Sequence, residues 1–333
     1  MPFSALIGND RIKSLLARAV AQGRIGQGLI LAGPPGIGKR QFALALAQAV
    51  NCERVHSGDA CGKCSSCIRI LSGDHLDVST YSPDGQFIKI DQMRHMSSAA
   101  HGSPLEGRRR VLIVDDADRL KIEAANSILK TLEEPPETSL VLLITSKPYA
   151  LLDTIRSRCQ MLSFAPLTTT ELERYLSGEK RPAPETRLLA RLARGSIGRS
   201  QEIDVGVYQK ERELLIGLLE SALIDNDAIR LINSAEHLAK KLERDEFVRS
   251  MDNLMTLLAD LFHLKLEGPA SAVTNVDEMD RLGRMADQVS VHQITGLADR
   301  IEVFLRALPR NVSRQLGLES VLLSTARLHQ SAP

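Results

Sequence analysis

Four cysteines, Cys52, Cys61, Cys64 and Cys67, fall within sixteen consecutive residues, and two of the gaps between them are two residues long. Thiolates so spaced supply every corner of a tetrahedral structural Zn²⁺ site and leave no open position for catalysis. An iron–sulfur centre competes, because C-x2-C-x2-C also opens a ferredoxin-like run; the fourth-cysteine spacing and trailing proline of that run are absent. Buried free thiols are the other alternative. His56 and His75 are spare ligands by type and are expected at the surface.

The run Gly33, Pro34, Pro35, Gly36, Ile37, Gly38, Lys39 lies between an apolar stretch, Gly28 to Ala32, and a helix-like one, Gln41 to Val50. This order suits a phosphate loop of the form G-x-x-x-x-G-K. Glycines let backbone N–H groups converge on phosphate oxygens at a helix N-terminus, and Lys39 adds a point charge. A tight Gly/Pro turn is the plain alternative. Arg40 breaks the pattern: the next residue should be Ser or Thr, whose hydroxyl ligates Mg²⁺, and a guanidinium has no lone pair to offer a metal.

A second element of such a site is the apolar run Val111 to Val114, which ends in Asp115 and Asp116. A carboxylate there holds Mg²⁺, and a Glu after it usually polarises the attacking water. Asp116 is one methylene shorter, which withdraws the carboxylate by about 1.5 Å. Misplacement of that order costs roughly 100-fold in rate. The alternative is that the two aspartates cap the helix after Asp118. In Arg156-Ser157-Arg158-Cys159 an arginine is either part of a solvated face or a guanidinium presented to a neighbour's triphosphate.

These groups need a scaffold, and its pattern is legible. Continuous apolar runs (Leu29 to Ala32, Val111 to Val114, Leu140 to Ile144) with a strand at Asp77 to Tyr81 alternate with helical segments, which implies a parallel sheet covered on both faces. Helices are expected over residues 10–22, Gln41 to Val50, Ile90 to Ala100 and Lys121 to Glu134. From about Leu167 the strands stop. Thr170 to Leu176, Pro184 to Ala193, Val207 to Ala222, Asp227 to Lys241, Asp245 to Leu264, Val276 to Val289 and Val291 to Ala307 have amphipathic helical spacing.

At 333 residues two or three domains are expected. A net charge of +1 excludes a grossly basic surface, and 3% aromatics without Trp argue against single-strand stacking platforms. The start MPFSALIGNDRIK lacks a signal-like apolar region, and no uncharged apolar run approaches 18 residues, so a cytoplasmic protein is expected. In that reducing setting the cysteine cluster points to metal before disulfide.

Together GPPGIGK, the four-cysteine insert after the first helix of the nucleotide fold, VLIVDDAD, AANSILKTLEEPP and SRC resemble the clamp-loader branch of the AAA+ ATPases. The likeness is dense over about residues 1–205 and general beyond. It implies an α/β AAA+ P-loop domain over residues 1–166 with a zinc module at 52–67, a helical lid over 167–206 and an all-helical collar over 207–333. By the same likeness Lys39 is the phosphate-loop lysine, Asp115 the metal-side acid, Ser146 the polar sensor ending its strand, and Arg199 the second sensor. Arg158 matches the arginine finger that acts in trans.

The implied setting is a five-subunit hetero-oligomeric ring that places a sliding clamp on primed DNA. The helix after Ile90, with Gln92 and Arg94, matches a region that tracks the DNA backbone there. Structural Zn²⁺ and loop-bound ATP are the implied cofactors, with Mg²⁺ disfavoured by Arg40 and Asp116. Both departures fall on hydrolysis and leave Arg158 intact, which suits a subunit that completes its neighbour's site. The alternatives are an ATP-hydrolysing motor subunit of the same loader or a related AAA+ helicase, and a zinc-dependent nucleic-acid-binding module with a vestigial nucleotide fold.

Overall fold

The computed structural model describes residues 1–178, 181–225, 227–308 and 312–328; residues 179–180, 226, 309–311 and 329–333, which fall within the expected lid and collar spans, lie outside the described residues. The chain divides into two compact units, Met1–Lys180 with Ala193–Glu202, and Arg181–Leu192 with Ile203–Pro333.

The first unit runs α1 (Asp10–Ala21), β1 (Gly28–Ala32), α2 (Lys39–Asn51), α3 (Ser65–Ser72), β2 (Val78–Tyr81), α4 (Ile90–Ala100), β3 (Arg110–Val114), α5 (Ile122–Ser127), α6 (Leu129–Glu133), β4 (Ser139–Thr145), α7 (Asp153–Arg156) and β5 (Gln160–Ser163). All strand pairs are parallel, in the order β2-β3-β4-β1-β5. Alternation of side chains across a strand explains the unbroken apolar runs. Leu29, Leu31, Val111, Ile113, Leu140 and Leu142 pack with Phe42 and Leu46 of α2 on one face. Their neighbours Ile30, Ala32, Leu112, Val114, Val141 and Leu143 pack with Met93 and Met96 of α4 and Ile128 on the other. A parallel sheet between helices, followed by a helical region, fits the AAA+ fold.

Three local departures from the sequence pattern have physical causes. The single helix expected from Lys121 to Glu134 breaks at Ile128 (φ −99°, ψ −7°). There the Ser127 hydroxyl donates to the Ala124 carbonyl at 2.7 Å, and the Ile128 N–H turns to Ala125 instead. Strand β5 carries no apolar run because it is an edge strand with only Leu162 buried. Asp116 does not cap through its side chain: it takes the left-handed conformation (φ 50°) before the 3₁₀ turn Ala117–Arg119.

After β5 come α8 (Thr169–Leu176), then α9 (Ala183–Leu192), which belongs to the second unit, and α10 (Ile197–Glu202), which returns to the first. The second unit continues with α11 (Val205–Glu220), a π-turn (Ser221–Asp225), α12 (Ala228–Lys241), α13 (Arg244–Lys265), α14 (Met279–Gln288), α15 (Val291–Ala307) and α16 (Arg314–Leu328). One core joins them, with Phe247, Met251, Leu254, Leu258 and Leu261 of α13 buried along a single stripe. Helix α16 lies beyond the last expected helix; Leu318 and Leu322 are buried on it and Leu316 is exposed. Gly317 lets it approach α15, for a Cβ there would lie 2.2 Å from the Phe304 ring.

Candidate functional site

The glycine run forms the turn between β1 and α2, with Lys39 as the first residue of the helix. Gly36 has φ +71°, and a Cβ on it would stand 2.3 Å from Ser196 Oγ, so only glycine fits beneath the start of α10. The Gly198 N–H donates to the Gly36 carbonyl at 2.9 Å, and the Arg199 N–H donates to Ser196 Oγ at 3.1 Å. The expected second-sensor helix thus rests on the loop tip.

Lys39 Nζ donates to the carbonyls of Gly33 and Pro34, each at 2.6 Å, which folds the ammonium back into its own loop. Burial pushes its pKa below the ordinary lysine value, against the opposing pull of Asp115, Asp116 and Asp118. Arg40 Nε lies 3.9 Å from Asp115 Oδ2. Burial and the like charge of Asp116 raise the Asp115 pKa, with Arg40 countering them. With a guanidinium facing Asp115, the acid expected on the metal side, and no hydroxyl at position 40, the residues present do not fit Mg²⁺.

Ser146 follows β4 at the same end of the sheet, where the Gly33 N–H donates to the Thr145 carbonyl. Asp118, which motif reading passed over, fixes this corner. Its Oδ1 accepts from the Thr145 hydroxyl at 2.6 Å and from the Ser146 N–H at 3.3 Å. The available signal was a third acid just past the apolar strand, in VLIVDDAD.

Arg158 is at the other end of the sheet. β5 pairs with β1 as Leu29 with Gln160, so Arg158 sits below the first residue of β1. Its carbonyl would be 3.6 Å from a Cβ on Gly28. The five residues of β1, about 16 Å of extended chain, separate it from the glycine loop. Arg158 Nη2 pairs with Glu133 Oε1 at 2.7 Å, and Nη1 donates to the Thr154 carbonyl at 2.8 Å.

The four sulfurs of Cys52, Cys61, Cys64 and Cys67 lie within 4.8 Å of one another, and Cys52 and Cys64 are 4.0 Å apart. Zn–S bonds of about 2.3 Å in a tetrahedron put sulfurs about 3.8 Å apart, so a small contraction suffices. Backbone N–H groups point at the sulfurs: Arg54 and Cys61 donate to Cys52, Lys63 and Cys64 to Cys61. The Lys63 and Cys64 donors hold Cys61 down to about 6, whereas burial pushes Cys52 and Cys67 up. Donor set, spacing and N–H support all fit Zn²⁺.

His75, expected at the surface, is buried, because it links this module to the sheet. The Asp77 N–H donates to Nδ1 at 3.1 Å, which leaves Nε2–H for Ser66 Oγ at 3.0 Å; that hydroxyl donates to the Asn51 carbonyl. His56 is exposed as expected. Two residues after His75, the buried Asp77 carboxylate accepts from the N–H groups of Leu105, Glu106 and Gly107 and from Arg110. Gln92 and Arg94 are on α4, whose Gln92 amide donates to the Ser82 carbonyl and whose Arg94 is exposed.

Residues 8–168 match the family described as DNA polymerase III, delta subunit. The delta' subunit of Bacillus subtilis (strain 168) is 36% identical over 182 residues, 55% of each chain. The delta' subunit of Escherichia coli (strain K12) is 29% identical over 285 residues, 85% of this chain and 83% of that one. The tau subunit of the same E. coli strain is 26% identical over 356 residues, 99% of this chain and 54% of that one. The chain thus spans little more than half the length of the B. subtilis delta' and E. coli tau relatives. The family match covers the loop, the cysteine cluster and Arg158 alike, and over this span the chain is similar to the delta-type subunits of DNA polymerase III.

Proposed function

We propose that the chain serves as the delta-prime type of clamp-loader subunit, within a five-subunit hetero-oligomeric ring that loads the sliding clamp onto primed DNA in the bacterial cytoplasm. It hydrolyses ATP weakly or not at all and lends Arg158 to a neighbour's ATPase site. The observation that carries this reading is the separation of the site across the sheet. The loop, with Lys39 turned inward and Arg40 on Asp115, is at one end, and Arg158 is a strand length away at the other. An arginine side chain reaches about 7 Å from its Cα, so Arg158 has no path to its own loop. A guanidinium so placed suits a triphosphate on another subunit, where it offsets charge developing on the transferred phosphoryl group.

In this reading Gly33 to Lys39 with Ser146 and Arg199 form a phosphate cradle that ATP can enter, Zn²⁺ on the four cysteines is structural, and Gln92 and Arg94 face the DNA backbone. The bound metal supplies folding energy and no chemistry. The ATP-consuming chemistry belongs to the neighbour; the part of this chain is to hold Arg158 out at the sheet's lower edge.

Two measurements test it. The isolated chain should show negligible steady-state ATPase; sustained Mg²⁺-dependent turnover would replace the proposal with the motor-subunit reading. A ring assembled with Arg158→Ala should lose DNA-stimulated hydrolysis by on the order of 10³-fold. Undiminished hydrolysis by that ring sinks the trans role.

A further inference from the structure

The Arg158 guanidinium does not hang free. One nitrogen is 2.7 Å from Glu133 Oε1, at the last residue of α6, and the other terminal nitrogen donates 2.8 Å to the Thr154 carbonyl of α7. A further contact, 3.3 Å, reaches Ser157 Oγ. The side chain is still 33% exposed. An arginine has four side-chain torsions, and an unrestrained one loses much rotamer freedom when it must meet a phosphate. A guanidinium already fixed in orientation by a carboxylate and a carbonyl loses less.

The backbone around Glu133 places the carboxylate with little freedom of its own. Helix α6 ends there, the Glu134 N–H bonds back to the Lys130 carbonyl, and Pro135 and Pro136 forbid continuation. Strands β4 and β5, which flank β1 and run parallel to it, start from the same end of the sheet, so Glu133 and Arg158 share that end. Glu133 itself is 46% exposed and has no other ion-pair partner among the described residues, so fold stability does not explain its place at 2.7 Å from Arg158.

We infer that Glu133 is a positioning residue for Arg158: it holds the guanidinium at the angle from which it meets the neighbouring subunit's phosphates. This rests on the trans role proposed for Arg158. Glu133 touches neither nucleotide nor reacting atoms. Its carboxylate takes one hydrogen of Nη2 while Thr154 and Ser157 take Nη1, which leaves the second Nη2 hydrogen and Nε–H for the anion.

The test uses the complete loader ring with ATP and primed DNA. Glu133→Ala should lower the DNA-stimulated kcat about 10-fold, within the range that small misplacements cost, with KM for ATP unchanged. Glu133→Gln, which keeps an acceptor oxygen, should recover part of the loss. In an Arg158→Ala ring, adding Glu133→Ala should change nothing further, because the residue acts only through the arginine. Thermal melting of the Glu133→Ala chain should match wild type. An unchanged or raised kcat for Glu133→Ala, or an additive loss in the Arg158→Ala background, overturns the inference. Full activity of the Arg158→Ala ring instead overturns the trans role on which it rests, so the two failures are told apart.

Discussion

Arg40 and Asp115 stand 3.9 Å apart where a hydroxyl and an acid would otherwise share a divalent cation. Nucleotide binding by the wild-type chain is therefore expected to be insensitive to Mg²⁺. Arg40→Thr supplies the missing ligand oxygen and frees the carboxylate, and its nucleotide affinity should rise when Mg²⁺ is added. Titration with and without the metal checks both; Mg²⁺-enhanced binding by the wild type would refute the role given to Arg40. This substitution was legible because a single residue type decides whether the loop can ligate a metal. Asp118 and Glu133 were not, since their roles depend on contacts 27 and 25 residues away along the chain, with Thr145 and Arg158, that no local pattern encodes. Asp77 belongs with them. Its burial alone would raise its pKa, but three N–H donors and Arg110 outweigh that and hold it below the usual carboxylate range. A depressed folded pKa means the stabilisation is complete above about pH 4 and is lost as pH falls through the lower folded value. Asp77→Asn should cost about 3 kcal/mol at neutral pH, and its stability should fall less steeply than wild type on acidification. Parallel acid profiles for the two proteins would refute this account of Asp77.

At the scale of elements, the sheet announced itself where strands are covered on both faces. β1, β3 and β4 are apolar without interruption because alternate side chains enter opposite cores. β5 escaped because an edge strand with one buried residue needs no such run. The break at Ile128 escaped because a serine hydroxyl, not a glycine or proline, turns the backbone there. The cysteine module was legible as a ligand set, whereas its helix α3 and its tie through Ser66 and His75 to β2 were not. Metal analysis after dialysis should find a single Zn²⁺ per chain. Cys64→Ala should abolish retention, because three sulfurs leave a corner to water and weaken the site. Four freely titrating thiols in the wild type would refute the site.

Across the whole molecule the apolar side chains form separate cores, two on the faces of the sheet and one within the helical unit. Cys52, Cys64 and Cys67 belong to the α2 side of the sheet, packed with Leu46 and Ile70. Without Zn²⁺ the thiols and their aligned N–H donors would lack the cation that their spacing fits, and that cost would fall on the first unit. The helical unit has its own polar anchor. Arg212, buried on α11, pairs with both oxygens of Asp277 and donates to Asn275, whose amide in turn donates to Asp260. Removing one member of such a buried set costs about 3–5 kcal/mol. Each kcal/mol moves the melting of a unit this size by about 2–4 °C, so Arg212→Ala should lower one transition by roughly 10 °C. Scanning calorimetry should then resolve two transitions with opposite sensitivities. A chelator should lower the first unit's transition alone, and Arg212→Ala the helical unit's alone. If either treatment shifts both transitions together, the cores are not energetically independent, and the metal's role extends beyond the sheet it flanks.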